Sequence, residues 1–304
     1  MIIGIGETIL DIIFKNDQPL SATPGGSTFN AMISIGRMGI PAIMVTETGD
    51  DHVGDLIVSA LRDNGVSAEY VTRHPGTKSH VSLAFLDENN DAQYQFYKDH
   101  ASASLESHLP EVTSHDIIIF GSFFAVNPVL RPLVRKFITN AHNAGAIIYY
   151  DINFRASHIK DIPQIIGNIK ENMQLSTIVR GSLEDFSYLY GSNDVDDIYE
   201  HHIKPYCPCF ICTDGPRPIQ LRTPALSTSF PTATVPTVST IGAGDNFNAG
   251  FAYGIYGSSN ITRNDFAIGT EELWAPLIHI GQQFSAAVCQ SVSNSVEKGF
   301  KPIR

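Results

Sequence analysis

The order of apolar segments along the chain restricts its fold more than any other feature of the sequence. Short apolar runs alternate with longer segments of helical spacing, first over residues 2–64 and again over residues 116–256. This alternation is typical of a parallel sheet with helices on both faces. It predicts strands at 2–5, 42–46, 116–120, 146–150, 177–179 and 210–213, and helices at 28–38, 51–64, 129–143, 163–173, 183–189, 242–256 and 274–293. We therefore expect an α/β chain with a three-layer αβα fold and a mostly parallel central sheet.

The alternation is interrupted between residues 78 and 98. Val81, Leu83 and Phe85 alternate with smaller residues, and a polar turn at 88–91 leads to a second extended segment. Period-two alternation predicts a β-hairpin with one apolar face. With part of residues 10–24, this hairpin would form a small β lid beside the main sheet; an antiparallel edge of that sheet is the alternative. Because no repeat or linker divides the chain, we expect one domain over residues 1–304.

The charge balance argues against several classes of partner. The 304 residues include 31 acidic and 20 basic side chains, for a net charge of −11, and contain no basic run. We therefore expect no nucleic acid and no membrane partner. The chain lacks a basic leader and any apolar run of the roughly 18 residues that a membrane helix needs, so we expect a cytoplasmic protein.

The spacing of Cys207, Cys209 and Cys212 is a poor zinc pattern, and a buried strand at residues 209–212 is the better explanation.

The segment Ile241-Gly242-Ala243-Gly244-Asp245 is the strongest candidate for a catalytic motif. At a helix start, small residues leave backbone N–H groups exposed, and these form an anion site together with the helix dipole. An Asp in the same turn can deprotonate a hydroxyl that attacks a phosphoryl group. Asp also favours the first helical turn as a cap, so the motif alone supports both interpretations equally. No Gly-Lys-Ser/Thr occurs in the chain, which excludes a Walker loop.

A second motif precedes the first predicted helix. Gly25 and Gly26 lie in a predicted turn, where they let a ligand approach the backbone, and Asn30 follows just inside the helix. The Asn amide offers a donor and an acceptor, which suits vicinal hydroxyls. Taken alone, the motif is better explained as a structural turn.

Other polar residues follow the ends of predicted strands, which meet at one edge of a parallel sheet and line its ligand crevice. These strand-end residues are Glu7, Ser122, Asp151, Arg180 and Thr213 with Asp214. After one strand, Asp151, Asn153 and Arg155 alternate, so we expect them on one side of the chain. There Arg155 can bind a carboxylate or a phosphate, although a solvated loop is the alternative.

In this order, the motifs resemble the ribokinase-like (PfkB) family of carbohydrate kinases over nearly the whole chain. The matching segments are Gly6-Glu7 with Asp11, Gly25-Gly26 with Asn30, Gly49-Asp50-Asp51 with Gly54, the lid hairpin, Asp151 to Arg155, Thr213 with Gly215, and Gly242 to Asp245. Residues 94–98 with Ala101 and Ala103 resemble the fructokinase and 2-keto-3-deoxygluconate kinase branch. The resemblance implies an ATP-dependent kinase for a ketose or keto-sugar acid. A nucleoside kinase or a non-catalytic sugar or nucleotide sensor on the same fold is the alternative.

The resemblance also implies a role for each matching position. Asp245 would be the catalytic base, and the amides of Gly242, Ala243 and Gly244 would form the anion hole. The implied sugar-binding residues are Asp11, Gly25, Gly26, Asn30, Tyr97, Lys98 and Arg155. The implied nucleotide-binding residues are Ser182, Thr213, Gly215, Gly242 and Gly244. Mg²⁺ would arrive with ATP, with Asp185 in indirect contact.

Three departures from the family pattern weaken some of these implications. Ser239 stands where potassium-activated members have Asp, so activation by a monovalent cation is doubtful. Asp185 stands where the family has Glu, which weakens the magnesium contact, and residues 216–218 replace a glycine in the nucleotide loop.

The substrate and the oligomeric state are predicted from other residues. For a keto-sugar acid, Lys98 or Arg155 would supply the cation that the sugar carboxylate needs. Exposed lid edges favour pairing of two copies, so we expect a homodimer through the lid.

Overall fold

The computed structural model describes residues 1–88, 92–98, 109–258 and 260–303. Its strands are β1 Ile2–Ile5, β2 Ile9–Lys15, β3 Gln18–Gly25, β4 Ala42–Gly49, β5 Val66–Ser67, β6 Val71–His74, β7 Val81–Leu86, β8 Ala92–Tyr97, β9 Ile117–Gly121, β10 Ile147–Asp151, β11 Ile178–Ser182, β12 Phe210–Asp214, β13 Arg217–Arg222 and β14 Ser227–Phe230. Its α-helices are α1 Ser27–Arg37, α2 His52–Asp63, α3 Arg131–Ala144, α4 Ile162–Leu175, α5 Leu183–Tyr190, α6 Val195–Ile198, α7 Ala243–Gly257, α8 Asp265–Ile268 and α9 Glu271–Cys289. Residues 89–91 of the predicted hairpin turn, Ala101 and Ala103 lie outside the described residues.

The central sheet has the strand order β14-β13-β12-β11-β10-β9-β1-β4-β5, and β6 pairs with β4. The strands from β12 to β5 run parallel, and β6 is parallel to β4, whereas β13 and β14 add an antiparallel edge. This arrangement confirms the predicted mostly parallel sheet. The carboxyl ends of the parallel strands meet at one edge of the sheet, where the strand-end residues lie.

Alternating residues of the strands build two apolar cores, one on each face of the sheet. Ile117 and Ile119 of β9 join the core that contains residues of α1, α2, α7 and α9. Ile118, between them, joins the core that contains residues of α3, α4 and α5. Successive side chains of a strand point to opposite faces, so a strand buried on both faces is apolar throughout. The predicted three-layer αβα fold is confirmed.

The hairpin belongs to a separate four-stranded sheet with the order β3-β2-β7-β8, so the lid interpretation is confirmed. Strand β2 is antiparallel to β3 and parallel to β7, and β7 is antiparallel to β8. The predicted turn at residues 24–27 is wrong, because β3 continues through Gly25 and α1 begins at Ser27. Proline favours the turn interpretation, but β3 is an edge strand, where Pro24 is tolerated.

The antiparallel pair β13–β14 was not predicted, because its segments contain arginines, prolines and serines rather than an apolar run. Helix α9 is shifted toward the N-terminus relative to the predicted 274–293. Cys207, Cys209 and Cys212 are buried. The strand predicted at residues 209–212 is confirmed from Phe210, where β12 begins. Among the described residues, no helix has the length and apolarity to cross a membrane.

Candidate active site

The first turn of α7 lies at the carboxyl edge of the central sheet. Gly242 precedes the helix with φ = 79°, a left-handed conformation that favours glycine. A Cβ at this position would lie 2.9 Å from the Asn294 carbonyl oxygen, so a larger residue would collide with the backbone. Asn246 fixes the turn, because its Nδ2 donates to the Gly242 and Asn294 carbonyls, both at 2.8 Å. The predicted anion site is therefore a helix N-terminus, where backbone N–H groups lack helical partners. The Ala243 N–H is an exception to the prediction, because it donates to the Thr240 carbonyl oxygen at 3.2 Å in the turn before the helix.

Asp245 lies in this first turn, half-buried, and its side chain is directed toward α1. Its Oδ2 accepts a hydrogen bond from Asn30 Nδ2 at 2.9 Å. Burial raises the pKa of Asp245 from 3.8 to about 6; hydrogen bonds from Asn30 and Ser27 oppose this, whereas the charge of Asp151 adds to it. A helix cap would bond to the first backbone amides of its own helix. Because Asp245 instead bonds to a neighbouring helix and has a pKa near neutrality, the geometry favours the catalytic interpretation.

Three of the predicted sugar-binding residues meet beside Asp245, although they come from the lid and from α1. A Cβ on Gly25 would lie 2.5 Å from Asp11 Oδ2 and 3.9 Å from Asn30 Oδ1. Asp11 also accepts a hydrogen bond from Ser82 Oγ, and burial raises its pKa. A closely spaced set of carboxylate and amide oxygens suits a polyhydroxylated ligand.

Gly26 is also required by a close approach of two chain segments. Its φ is 126°, and a Cβ would lie 2.3 Å from the Glu7 carbonyl oxygen. The Gly25-Gly26 pair therefore brings the start of α1 against the loop after β1.

Lys98 follows the last lid strand and forms an ion pair with Glu7, which the sequence did not predict. Its Nζ lies 2.6 Å from Glu7 Oε1, and His80 Nδ1 lies 3.0 Å from the same oxygen. Burial raises the pKa of Glu7, but hydrogen bonds from His80 and Lys98 outweigh it and leave the pKa below its ordinary value. The lid is thus tied to the central sheet beside the pocket, while Tyr97 lies exposed on β8.

A buried polar network lies beneath α7. Asp151 Oδ2 accepts from Arg180 Nη1 at 2.8 Å and from Asn248 Nδ2 at 2.6 Å. Arg180 Nη2 donates to Thr213 Oγ1 at 2.8 Å, and Asn248 Oδ1 accepts from the Tyr149 hydroxyl at 3.0 Å. The strand-end pattern pointed to Asp151, Arg180 and Thr213, but it gave no signal for Asn248.

The predicted alternation of Asp151, Asn153 and Arg155 is wrong. Asn153 has φ = 39°, so the chain is not extended there, and its Nδ2 donates to Ser122 Oγ at 2.7 Å. Asp151 is directed inward to α7, whereas Arg155 is exposed. The charge of Arg155 still lowers the pKa of Asp245, which places it near the candidate base.

Three of the predicted nucleotide-binding residues, Ser182, Thr213 and Gly215, lie at and after the ends of β11 and β12, whereas Gly242 and Gly244 lie at the start of α7. Ser182 caps α5 and forms a reciprocal pair of hydrogen bonds with Asp185: Asp185 N donates to Ser182 Oγ at 3.1 Å and Ser182 N to Asp185 Oδ2 at 2.7 Å. Gly215, with φ = 52°, lies in the turn between β12 and β13. Ser182 and Thr213 are register partners on adjacent strands, so these residues share one part of the sheet edge.

Asp185 is the described residue that best fits indirect contact with a magnesium ion. Burial, followed by the charge of Asp151, raises its pKa to about 6, and a nearby cation would favour its ionised form. Because one carboxylate oxygen caps the helix, a contact through water fits better than direct ligation. Ser239 Oγ accepts from Ile241 N at 3.2 Å and brings no charge. Within the described residues, no group of three or more His, Cys, Asp or Glu side chains forms a metal site.

Comparisons with known proteins identify the family of the chain. Residues 1–293 match the pfkB family of carbohydrate kinases. The chain is 26% identical over 281 residues to a fructokinase from Rhizobium leguminosarum bv. trifolii, covering 88% of this chain and 83% of that protein. It is also 26% identical over 263 residues to a probable fructokinase-4 from Arabidopsis thaliana, covering 81% of this chain and 79% of that protein.

Solved structures share the fold at lower identity. An aminoimidazole riboside kinase from Salmonella enterica superimposes with a TM-score of 0.82 at 19% identity and covers 97% of each chain. A fructokinase with bound ATP from Xylella fastidiosa gives a TM-score of 0.81 at 20% identity and covers 98% of this chain and 95% of that one. With the sequence match over residues 1–293, the chain belongs to the pfkB family and is an ATP-dependent carbohydrate kinase.

Proposed function

We propose that this kinase transfers the γ-phosphoryl group of ATP to a hydroxyl of fructose or a similar ketose, with Asp245 as the catalytic base. The observation that carries the proposal is the position of Asp245. Its carboxylate lies at the N-terminus of α7, accepts from Asn30 at 2.9 Å, and has a pKa raised to about 6. A carboxylate with a pKa near the working pH is well suited to accept a proton from a hydroxyl.

The pocket residues bind and orient the acceptor sugar. Asp11 and Asn30 hydrogen-bond to sugar hydroxyls, with Gly25 leaving room between them. Asp245 accepts the proton of the reactive hydroxyl as its oxygen forms a bond to the γ-phosphorus of ATP. The bond from that phosphorus to the β–γ bridging oxygen breaks, and ADP leaves with the electron pair. The amides at the start of α7 stabilise the charge on the transferred group.

The other side of the site holds the nucleotide. Ser182, Thr213 and Gly215 flank ATP, and the amides of Gly242 and Gly244 face its terminal phosphates. A magnesium ion bound with ATP would neutralise charge on the phosphate oxygens, and Asp185 would contact it through water. Although Asp185 replaces the family's Glu, it keeps a carboxylate in the capping turn of α5.

The ion pair of Lys98 favours a neutral ketose over a keto-sugar acid. Lys98 is one of the two predicted cations for a sugar carboxylate, and its charge is balanced by Glu7 at 2.6 Å. The other, Arg155, is exposed in the loop after β10. A substrate carboxylate would have to compete with Glu7 for Lys98. The fructokinases among the relatives agree with this choice of substrate.

A substrate panel tests the proposal. Purified enzyme is given MgATP with fructose, 2-keto-3-deoxygluconate, ribose, adenosine or inosine, and ADP and phosphorylated product are both measured. We expect fructose to give the highest kcat/KM. Faster turnover of a nucleoside would replace the proposal with a nucleoside kinase, and no phosphorylated product from any compound would identify a non-catalytic sensor.

We also propose that two copies pair through the lid. Strand β3 is an edge of the lid sheet, and its residue Leu20 is 66% exposed. Unpaired backbone groups of an exposed edge form hydrogen bonds with a second strand. Light scattering should give the dimer mass for the wild type and a smaller mass for Leu20→Lys; a monomeric wild type at micromolar concentration would refute the pairing.

A further inference from the structure

Arg180 is a buried arginine directly beneath the predicted anion site, and the roles assigned so far do not use it. Its side chain lies on the α7 face of β11, held by Asp151 and Thr213 at 2.8 Å each. A Cβ on Gly244 would lie 2.9 Å from Arg180 Nη2 and 3.1 Å from Nη1. The guanidinium therefore fills the space that a side chain at Gly244 would occupy. Arg180 Nε is buried and has no hydrogen-bond partner among the described residues.

The charged form of Arg180 is stabilised in the free protein. Burial opposes the charge, but the nearby carboxylates, Asp151 foremost, outweigh burial and raise the pKa of the guanidinium. The N-terminus of a helix carries partial positive charge, so Arg180 adds a full positive charge beside it. The three atoms nearest to the missing Gly244 Cβ are Arg180 Nη2, Nη1 and Cζ, so the positive end of the pair is directed toward α7.

The guanidinium and the helix amides would act together on the negative charge of an anion bound at the N-terminus of α7. The interaction is strongest when the charge on the transferred phosphoryl group is greatest. The position of the guanidinium against Gly244 therefore points to a role in binding a highly charged ligand at the start of α7.

We propose that Arg180 is a charged positioning residue for phosphoryl transfer, which strengthens the anion site from beneath Gly244 and balances Asp151 near the base. The proposal rests on the assignment of Asp245 and the start of α7 as the reaction site. Arg180 does not need to touch the substrate, because its charge acts across the first turn of the helix.

The proposal also predicts a change in pH dependence. The groups that face or approach Asp245 are Asp11 on β2, Asn30 and Ser27 on α1, Asp151 at the end of β10, Arg155 in the loop after it and Arg180 on β11. Asp185 on α5 faces Asp151 and Arg180. The charge of Asp151 raises the pKa of Asp245. Without Arg180, that charge loses its partner, so the acid limb of kcat should move to higher pH.

The test compares Arg180→Met with Arg131→Met in the full-length enzyme. Arg131 is a matched control because it is also buried and paired with a carboxylate, Glu171, and also has an Nε without a partner among the described residues. It lies at the start of α3, on the other face of the sheet. We expect Arg180→Met to lower kcat about 100-fold with KM for the sugar within about threefold, and to move the acid limb to higher pH. Arg131→Met should lose thermal stability without either effect.

A second pair of variants separates charge from packing if Arg180→Met does not fold. Arg180→Lys and Arg180→Gln both lose the two-armed contact to Asp151 and Thr213, but only Lys keeps the charge. We expect Lys to retain the wild-type acid limb and at least about ten times the kcat of Gln. Equal losses in Lys and Gln, or an unchanged acid limb in folded Arg180→Met, would overturn the proposal. Loss of activity in Asp245→Asn alongside a fully active Arg180→Met would reject the role of Arg180 and leave the base assignment intact.

Discussion

Replacing Asp245 with Asn should stabilise the protein while removing its proposed catalytic base. The folded environment raises the pKa of this carboxyl from 3.8 to about 6, so folding disfavours the charged form. Below about pH 3.8 the group is neutral in both states and the charge has no cost. Between about pH 3.8 and 6 the unfolded chain has lost the proton that the folded chain keeps, so stability falls as pH rises. Above about pH 6 the cost is constant.

The size of the effect follows from the pKa difference. Each pKa unit corresponds to about 1.4 kcal/mol. The buried charge of Asp245 therefore lowers the free energy of unfolding by up to about 3 kcal/mol at pH 7 and by about half of that at pH 5. Asp245 is half-buried and partly screened by solvent, so these are upper values. Asn keeps a side-chain oxygen that accepts from Asn30 but carries no charge, and it should recover most of the loss. For a chain of this length, the midpoint of thermal unfolding should rise by roughly 5 °C at pH 7.

Thermal unfolding of the wild type and Asp245→Asn at pH 5 and pH 7 measures this effect. The matched control is Asp265→Asn, in the first turn of α8, where hydrogen bonds from Thr262 lower the pKa of the carboxyl. Its substitution should lower stability at pH 7, which is the opposite sign. A less stable Asp245→Asn at pH 7, or an equal gain at both pH values, would refute the reasoning.

Three further predictions concern the same pocket. The kcat/KM of the wild type should fall about tenfold per pH unit below about pH 6, as Asp245 is protonated; a flat profile between pH 5 and 8 would contradict this. Asn30→Ala removes a hydrogen bond that lowers the pKa of Asp245, so the acid limb should move to higher pH and kcat/KM should fall about tenfold or more, as a pH–rate series would show. Gly26→Ala places a Cβ 2.3 Å from the Glu7 carbonyl oxygen and should cost about 3 kcal/mol or more in denaturant unfolding. The control is Gly39→Ala, at φ = 74° with open space around the Cβ, which should lower the free energy of unfolding by only about 1–2 kcal/mol. Equal losses of stability in the two variants would show that the collision with Glu7 adds nothing to the backbone strain.

The fold was predictable from sequence wherever apolar periodicity is strong. Strands that are buried on both faces, such as β9, are continuous apolar runs in the sequence. The helices between them have apolar residues along one side. The strands that were missed lack a continuous apolar run, as in β13 and β14. Strand β3 contains Pro19 and Pro24 and is almost fully exposed, so neither periodicity nor propensity marks it as a strand.

The sequence predicted which residues belong to the candidate site, but it did not predict the contacts between them. Motifs identified Asp245, Asn30 and Asp11, which the structure brings together from three separate elements. The partner of Lys98 could not be inferred, because Glu7 lies far away in sequence and meets it only through the lid. The same applies to Arg180, since its position beneath Gly244 depends on how α7 packs on β11.

The most direct test of the central claim is single-turnover phosphorylation of fructose by Asp245→Asn. The account predicts that the rate of phosphoryl transfer falls about 1,000-fold, since general bases typically contribute between about 100-fold and 10,000-fold. Calorimetry should show that MgATP and fructose still bind, and Asp265→Asn should keep the wild-type rate. A rate for Asp245→Asn within about tenfold of the wild type would contradict the assignment of Asp245 as the base.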